Sequence, residues 1–253
     1  MNRVTYVLAG LCTLSPLEPI NAAPIANQGT WQTTLQTRDL DKNGTVDALY
    51  DTDLNITWLR NANVNGLQTW QDASAWVRNL TFGGYNDWRL PTIVDTGSPG
   101  CNASYGGTDC GYNVQTKDGP TVYSEMAHLF YVTLGNLADF DILGNYRGGT
   151  NGVDWGLANT AQFRNLQTPY YWLGLQYASR FGDQAWAFYT YDGYQSTIGK
   201  NYAFYAMAIR SGDVTAVPEP SAALLLIIGF CALATAERRW RTHTDFSSST
   251  NQR

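Results

Sequence analysis

An α+β domain of short strands and two amphipathic helices, followed by an apolar C-terminal helix, is the architecture the sequence predicts. Three observations lead there. Two runs place apolar residues at helical spacing. Several short runs of aromatic and β-branched residues lie between stretches rich in Gly, Asn and Asp. One apolar segment near the C-terminus is bounded by prolines on one side and arginines on the other.

The chain begins Met1-Asn2-Arg3, continues apolar from Val4 to Leu14, and reaches Ile20-Asn21-Ala22-Ala23. A basic start, a short apolar stretch and small residues at its exit predict a secretory signal peptide over residues 1–23. Cys12 is not read as a lipid anchor, because Leu11 stands where lipoprotein signals need a small residue. Residues 24–38 are polar and predict a leading strand or loop, and the stretch Tyr50 to Leu59 alternates toward a strand at its end. Thr69 is a helix N-cap with Asp72 in the first turn, and Ala73, Trp76, Val77 and Leu80 recur at helical spacing, so residues 70–80 predict a helix ended by Gly83-Gly84. A second helix starts at Ser124-Glu125, presents Met126, Leu129, Phe130 and Leu134, and stops at Gly135. Strands follow at 170–174, 184–191 and 202–209, with Asp192-Gly193 as the turn after the second of these. Residues 95–120 and 140–168 read as long loops, the kind that carry function on a compact scaffold.

Without its two ends the chain retains roughly 190 residues, one ordinary domain able to bury its own core. Only 15% of residues are charged and the net charge is -5, so no basic stripe exists to neutralise phosphates and nucleic acid is excluded as a partner.

The C-terminus reads Val217-Pro218-Glu219-Pro220, then an almost wholly apolar run from Ser221 to Ala236, then Glu237-Arg238-Arg239-Trp240-Arg241. The arginines predict a cytoplasmic stop for a transmembrane helix over 217–241, which leaves the body of the protein facing out. This order of motif, helix and basic end resembles the PEP-CTERM sorting signal. The resemblance implies processing by exosortase, a membrane transpeptidase-like enzyme, near Pro218-Glu219-Pro220. Val217 and Arg238, Arg239 and Arg241 complete the motif, and a polar tail, residues 242–253, follows it.

A second resemblance covers the body. Tyr50-Asp51-Thr52 through Trp58-Leu59, Thr69-Trp70 through Leu80, and Gly83-Gly84-Tyr85-Asn86-Asp87-Trp88-Arg89-Leu90-Pro91-Thr92 look like successive blocks of the Lcl C-terminal domain family. Tyr171-Trp172, Ala185-Trp186-Ala187-Phe188 and Ala208 to Asp213 echo its later blocks, so residues 24–213 are expected to form one such domain. The resemblance implies a C-type-lectin-like fold, and the family's namesake is an adhesin domain that binds glycosaminoglycans. Two departures stand out. The acid usual shortly after Arg-Leu-Pro-Thr is displaced by Ile93-Val94-Asp95 and a cysteine-bearing insertion, and the final block reads Ile209-Arg210-Ser211 where the family has Val-Arg and a Pro.

Four groups of residues invite chemistry. Cys101 and Cys110 flank a Gly-rich loop, and in an oxidising compartment they are expected to form a disulfide. Asp39, Asp41, Asn43 and Asp47, with Gly44 at the sixth position, reproduce the first part of a calcium loop; the alternative is an acidic turn whose side chains cap their own backbone. The twelfth position, where a bidentate Glu belongs, is Tyr50, with Asp51 one step late. The catalytic inventory is poor. His128 and His243 are the chain's two histidines; Ser124 and His128 share a helix face without an orienting acid, and Glu125 and Asp139 do not make a convincing acid–base pair. No enzyme activity and no cofactor are expected, calcium at the acidic loop being the one candidate. Finally, Trp155, Tyr170, Tyr171 and Trp186 lie in or beside the long loops and could stack on sugar faces, whereas Trp58, Trp76 and Trp88 are expected in the core.

The resulting expectation is an exported protein, tethered in the inner membrane facing the periplasm and then placed at the cell surface or in the matrix, that binds polysaccharide or another surface molecule. A structural matrix protein without a ligand and a hydrolase of extracellular glycans are the alternatives.

Overall fold

A computed structural model describes residues 24–96, 101, 103–178 and 182–214. The chain divides into two compact units, Met1–Asp213 and Val214–Arg253. The expected signal peptide, sorting motif, membrane helix and polar tail lie outside the described residues; among the described residues no helix is long and apolar enough to cross a membrane.

Small sheets with few helices make up the first unit, an α+β arrangement. A single-turn helix α1 (Trp31–Thr34) leads into strand β1 (Leu35–Arg38), which pairs with β2 (Ala48–Asp51), and β2 with β3 (Ile56–Leu59), all antiparallel. The last strand of the unit, β9 (Ile209–Ser211), returns to pair antiparallel with β3 and completes the sheet in the order β1-β2-β3-β9. A three-stranded antiparallel sheet follows the order β6 (Tyr170–Gln176), β7 (Gln184–Tyr189) and β8 (Tyr194–Gly199), and a minimal hairpin joins β4 (Lys117–Asp118) to β5 (Thr121–Val122).

Helix α2 spans Trp70–Asn79, one residue short of the predicted end. The Thr69 hydroxyl accepts from the Asp72 amide at 3.2 Å, and Ala73 and Val77 are buried. The second predicted helix begins as α3 (Glu125–His128), capped by Ser124 Oγ accepting from the Ala127 amide, but widens into a π-helical turn over Leu129–Thr133. Gly135 ends it at φ 66°, packed against Gly29 so closely that a Cβ on Gly135 would lie 2.3 Å from the Gly29 nitrogen. Glycine is required on both sides of that contact.

The central strands are buried on both faces. Tyr171, Leu173, Trp186 and Phe188 point into a larger core with Leu49, Trp58, Phe130 and Met207. Their neighbours Trp172, Ala185 and Ala187 point the other way, into a smaller core with Ala73, Val77, Trp88 and Leu90. Strict alternation thus feeds two cores, which is why β6 and β7 carry so little polar surface.

Two expectations about strands change. Residues 202–209 are not one strand: Phe204 exchanges backbone hydrogen bonds with Gln68, Tyr205 bridges Tyr171, and only at Ile209 does the segment join β3. The run reads as a strand because Ala206 to Ile209 are all buried, yet its backbone partners change every residue or two. The hairpin partner after Asp192-Gly193 is β8, whose polar sequence Tyr-Gln-Ser-Thr hid it. In the insertion after Thr92, Cys101 and Cys110 form the expected disulfide, with Cα atoms 5.0 Å apart, and Gly111 pairs with Gln195 of β8.

Candidate functional site

The loop joining β1 to β2 carries the acidic residues singled out from the sequence. Asp39, Asp41 and Asp47 bring carboxylate oxygens within 4.8 Å of one another. The loop also caps itself: Asp39 accepts from the Asn43 and Gly44 amides, Asp41 from the Asn43 amide and side chain, and Asp47 from the Leu40 amide. Asn43 is engaged as well, its Oδ1 accepting from the Thr45 amide at 2.7 Å. The position a calcium loop needs for its bidentate Glu is built into β2. There Tyr50 donates its hydroxyl to Asn55, and the fully buried Asp51 caps the amides of Asp53 and Leu54. The self-capping hydrogen bonds of an acidic turn are present, and the same loop gathers three carboxylates with no bidentate Glu beside them.

Asp47 also belongs to a cleft of about 380 Å³ beside this loop. Its lining combines the apolar Leu59, Val64, Trp76, Leu80 and Phe82 with the polar Asn61, Arg60, Arg164 and Asn165. Trp76, expected in the core, packs against the smaller core while only half-buried, and it also lines the cleft. Arg60 is anchored from behind, donating to the carbonyls of Gln162 at 2.9 Å and Val46 at 3.3 Å. Burial holds its pKa below the usual arginine range, the nearby charge of Arg164 adds to this, and Asp47 acts in the opposite sense. Arg164 is exposed, and among the described residues its guanidinium makes no hydrogen bond or ion pair. Arg60 and Arg164 are 104 positions apart and are brought together by a backbone bridge between Asn61 and Arg164. No local pattern announces such a pair.

Of the four aromatics proposed from the sequence as ligand contacts, Tyr170 is half-buried and the other three do not present faces to a ligand. Tyr171 and Trp186 are fully buried in the larger core, and Trp155 is 7% exposed, covered by the rings of Tyr146 and Tyr191. Other rings take the surface instead. Tyr105, Phe140, Tyr146, Tyr191 and Tyr189 form a series, joined between Tyr146 and Tyr191 by the buried Trp155, with successive centroids 5.2 to 6.2 Å apart. Tyr170, Phe204 and Tyr202 extend the series. Along it Tyr105, Tyr146, Tyr191 and Tyr202 are 42%, 55%, 41% and 58% exposed. Asp139 and Asp192 lie within the band, joined by a hydrogen bond from the Asp139 amide to the Asp192 carbonyl at 3.3 Å. Burial, with Asp139 adding, pushes the Asp192 carboxyl up to about 7, and burial raises Asp139 as well. The Tyr-rich composition was the signal for this band; which tyrosines face out depends on the fold.

The Asp87-Trp88-Arg89-Leu90-Pro91-Thr92 block is built around two bidentate ion pairs. Arg89 donates to both oxygens of Glu125 at 2.8 and 2.7 Å, and Glu125 also accepts from the Thr92 amide. Glu125, on the far side of the insertion, thus holds the Arg-Leu-Pro-Thr block through Arg89 and Thr92. Asp87 accepts both donors of Arg210, whose guanidinium lies 4.1 Å from the Tyr85 ring centroid. The Lcl C-terminal domain family matches residues 47–210, more than half of the chain. The chain belongs to that family. No curated relative and no solved structure matches it.

The match of the Lcl C-terminal domain starts at Asp47, the last carboxylate of the acidic loop, and ends at Arg210 in β9. Inside the domain His128 is buried, its Nε2 2.9 Å from Asp53, which is also paired with Lys117. Burial keeps this imidazole below its usual pKa despite the attraction of Asp51 and Asp53. Ser124 does not turn toward it, because Ser124 Oγ donates to Gln195 Oε1 at 2.7 Å and caps α3. Ser124 and His128 are therefore not brought together as nucleophile and base.

Proposed function

We propose that this chain is an exported cell-surface or extracellular-matrix protein whose Lcl C-terminal domain binds polysaccharide along its band of exposed aromatic rings. The band is the observation that carries the reading. Flat rings with polar edges stack on sugar faces, and a ladder of them suits an extended chain of sugars better than a single one. Asp139 and Asp192 place carboxylates where sugar hydroxyls would donate. The reading takes the domain as a binding module without enzyme activity, arranged in the C-type-lectin-like manner that the family resemblance implies. Its delivery rests on the sequence ends: a signal peptide, a membrane-tethered intermediate facing the periplasm, and exosortase acting near Pro218-Glu219-Pro220. The disulfide agrees with an oxidising compartment.

A polysaccharide array probed with the purified chain tests the binding. Tyr146→Ala and Tyr191→Ala are each expected to weaken a positive interaction about 2- to 10-fold, the range for one aromatic contact. Uniform silence on the array would refute the binding role. Comparing the chain's mass and location in cells with and without exosortase tests the delivery; an intact chain free in the cytoplasm with reduced thiols would overturn it.

A further inference from the structure

We infer that the aromatic band takes an uncharged polysaccharide and turns acidic ones away. This rests on the band being the polysaccharide site and names the class of chain it selects.

Charge along the band decides the class. Of the residues that stand next to a band ring in the chain, Asp139, Asp141, Asp154 and Asp192 are acidic and Arg147 alone is basic. Arg147 is committed to Asp141, whose carboxyl is held below its usual range by the Asn145 side chain and amide and then by that arginine's charge. Lys200, two positions from Tyr202, is buried, its Nζ donating to the Gly182 carbonyl at 2.7 Å and lying 4.8 Å from the Trp70 ring centroid. A carboxylate or sulfate on a ligand would therefore meet Asp139, Asp154 and Asp192, which neither cation offsets. The rings act in the same sense, because an aromatic face is its negative side and repels an anion laid over it.

Asp139 and Asp192 also favour a plain sugar over an amino sugar. Burial, then the Tyr194 amide and the charge of Asp139, act on Asp192, and no cation is among them; Asp139 Oδ1 takes no hydrogen bond. The Asp192 carboxyl answers burial by keeping a proton up to about pH 7 rather than by gathering a counter-ion. A protonated carboxyl beside an ionised one supplies a donor and acceptors together. That suits a hydroxyl, which donates and accepts, better than an ammonium, which only donates.

The test uses the full chain in detergent with its disulfide intact, titrated by calorimetry at pH 7 and low salt. Neutral probes are cellohexaose, mixed-linkage β-glucan and galactomannan. Acidic probes are the 6-carboxylated form of cellohexaose, polygalacturonate and hyaluronan, and a glucosamine hexamer with free amines is the cationic one. The best neutral probe is expected to bind about 10-fold or more tightly than any charged one, and Tyr146→Ala should weaken it. Added salt should narrow the neutral-to-acidic ratio about 3-fold or more, and so should Asp139→Asn combined with Asp192→Asn. A charged probe that matches the best neutral one, with binding still weakened by Tyr146→Ala, would overturn the selection and leave the band as the site. A ratio that neither salt nor the double variant moves would also overturn the selection. Silence across the whole panel would overturn both.

Discussion

Glu125→Gln probes the ion pair that joins the Arg-Leu-Pro-Thr block to helix α3. The Glu125 side chain is 6% exposed and that of Arg89 32%. The carboxylate takes two charge-assisted hydrogen bonds from Arg89 and one from the Thr92 amide. Glutamine keeps one acceptor but turns an NH2 group toward the guanidinium, so a donor faces a donor. Breaking a buried pair by removing one partner costs about 3–5 kcal/mol, and the partial exposure of Arg89 places this case near the lower end, about 3 kcal/mol. With a urea slope of about 2 kcal/mol/M, the unfolding midpoint should fall by roughly 1.5 M. A double-mutant cycle with Arg89→Met isolates the pair from the smaller loss of a negative charge at the start of α3, and its coupling energy should be about 2–3 kcal/mol. A coupling below about 0.5 kcal/mol, within the scatter of independent sites, would refute the reasoning, because it would mean that water already satisfies both groups.

Asp192 gives a pH dependence of defined sign. Its folded pKa is raised to about 7, so between pH 4 and 7 the folded state holds more protons than the unfolded one, and the stability it contributes is lost as pH rises through about 7. A rise of that size corresponds to about 4 kcal/mol for a fully dry carboxylate, and water reaching part of the group reduces it to about 1–2 kcal/mol. Asp192→Asn, which can still cap the Tyr194 amide, should be more stable than the parent by that amount at pH 8 and equal to it near pH 4, as read by urea titrations at both values. Replacing Cys101 and Cys110 together by Ser should cost about 2–3 kcal/mol through the freedom returned to the unfolded loop, and reducing agent should shift the parent's midpoint equally. Calcium titration should give a Kd no tighter than about 10⁻⁴ M at Asp39, Asp41 and Asp47, since no bidentate Glu completes the loop; submicromolar binding would contradict that count of ligands.

What could be read from the sequence was local. The Thr69 cap with Asp72, the Ser124 cap, the Asp192-Gly193 turn and the Cys101–Cys110 closure all depend on residues within a few positions, or on a short ring, and each is present in the fold. What escaped depends on distant chain segments meeting. Trp76 fits a helical stripe and so reads as core, yet it stands where Arg164 arrives from far along the chain. Trp155, set among Gly and Asn, reads as an exposed loop residue until the rings of Tyr146 and Tyr191 close over it. Glu125 looks like an ordinary first-turn acid of a helix, and nothing near it announces Arg89. β6 and β7 read as strands from their aromatic residues, but the sequence does not say that their alternate residues feed two separate cores.

The position of β9 at the end of the domain has a consequence for how the molecule is made. Strand β3 is buried at all four residues, and its outer rim is closed by three residues synthesised roughly 150 positions later. Until Ile209 to Ser211 arrive, a greasy rim with open amides and carbonyls waits for any passing strand, including one from a neighbouring copy. A chain cut short before Ile209 should therefore stick to its siblings rather than stay half-built in solution, so an intact end is a condition for the domain's quality as well as for its completion.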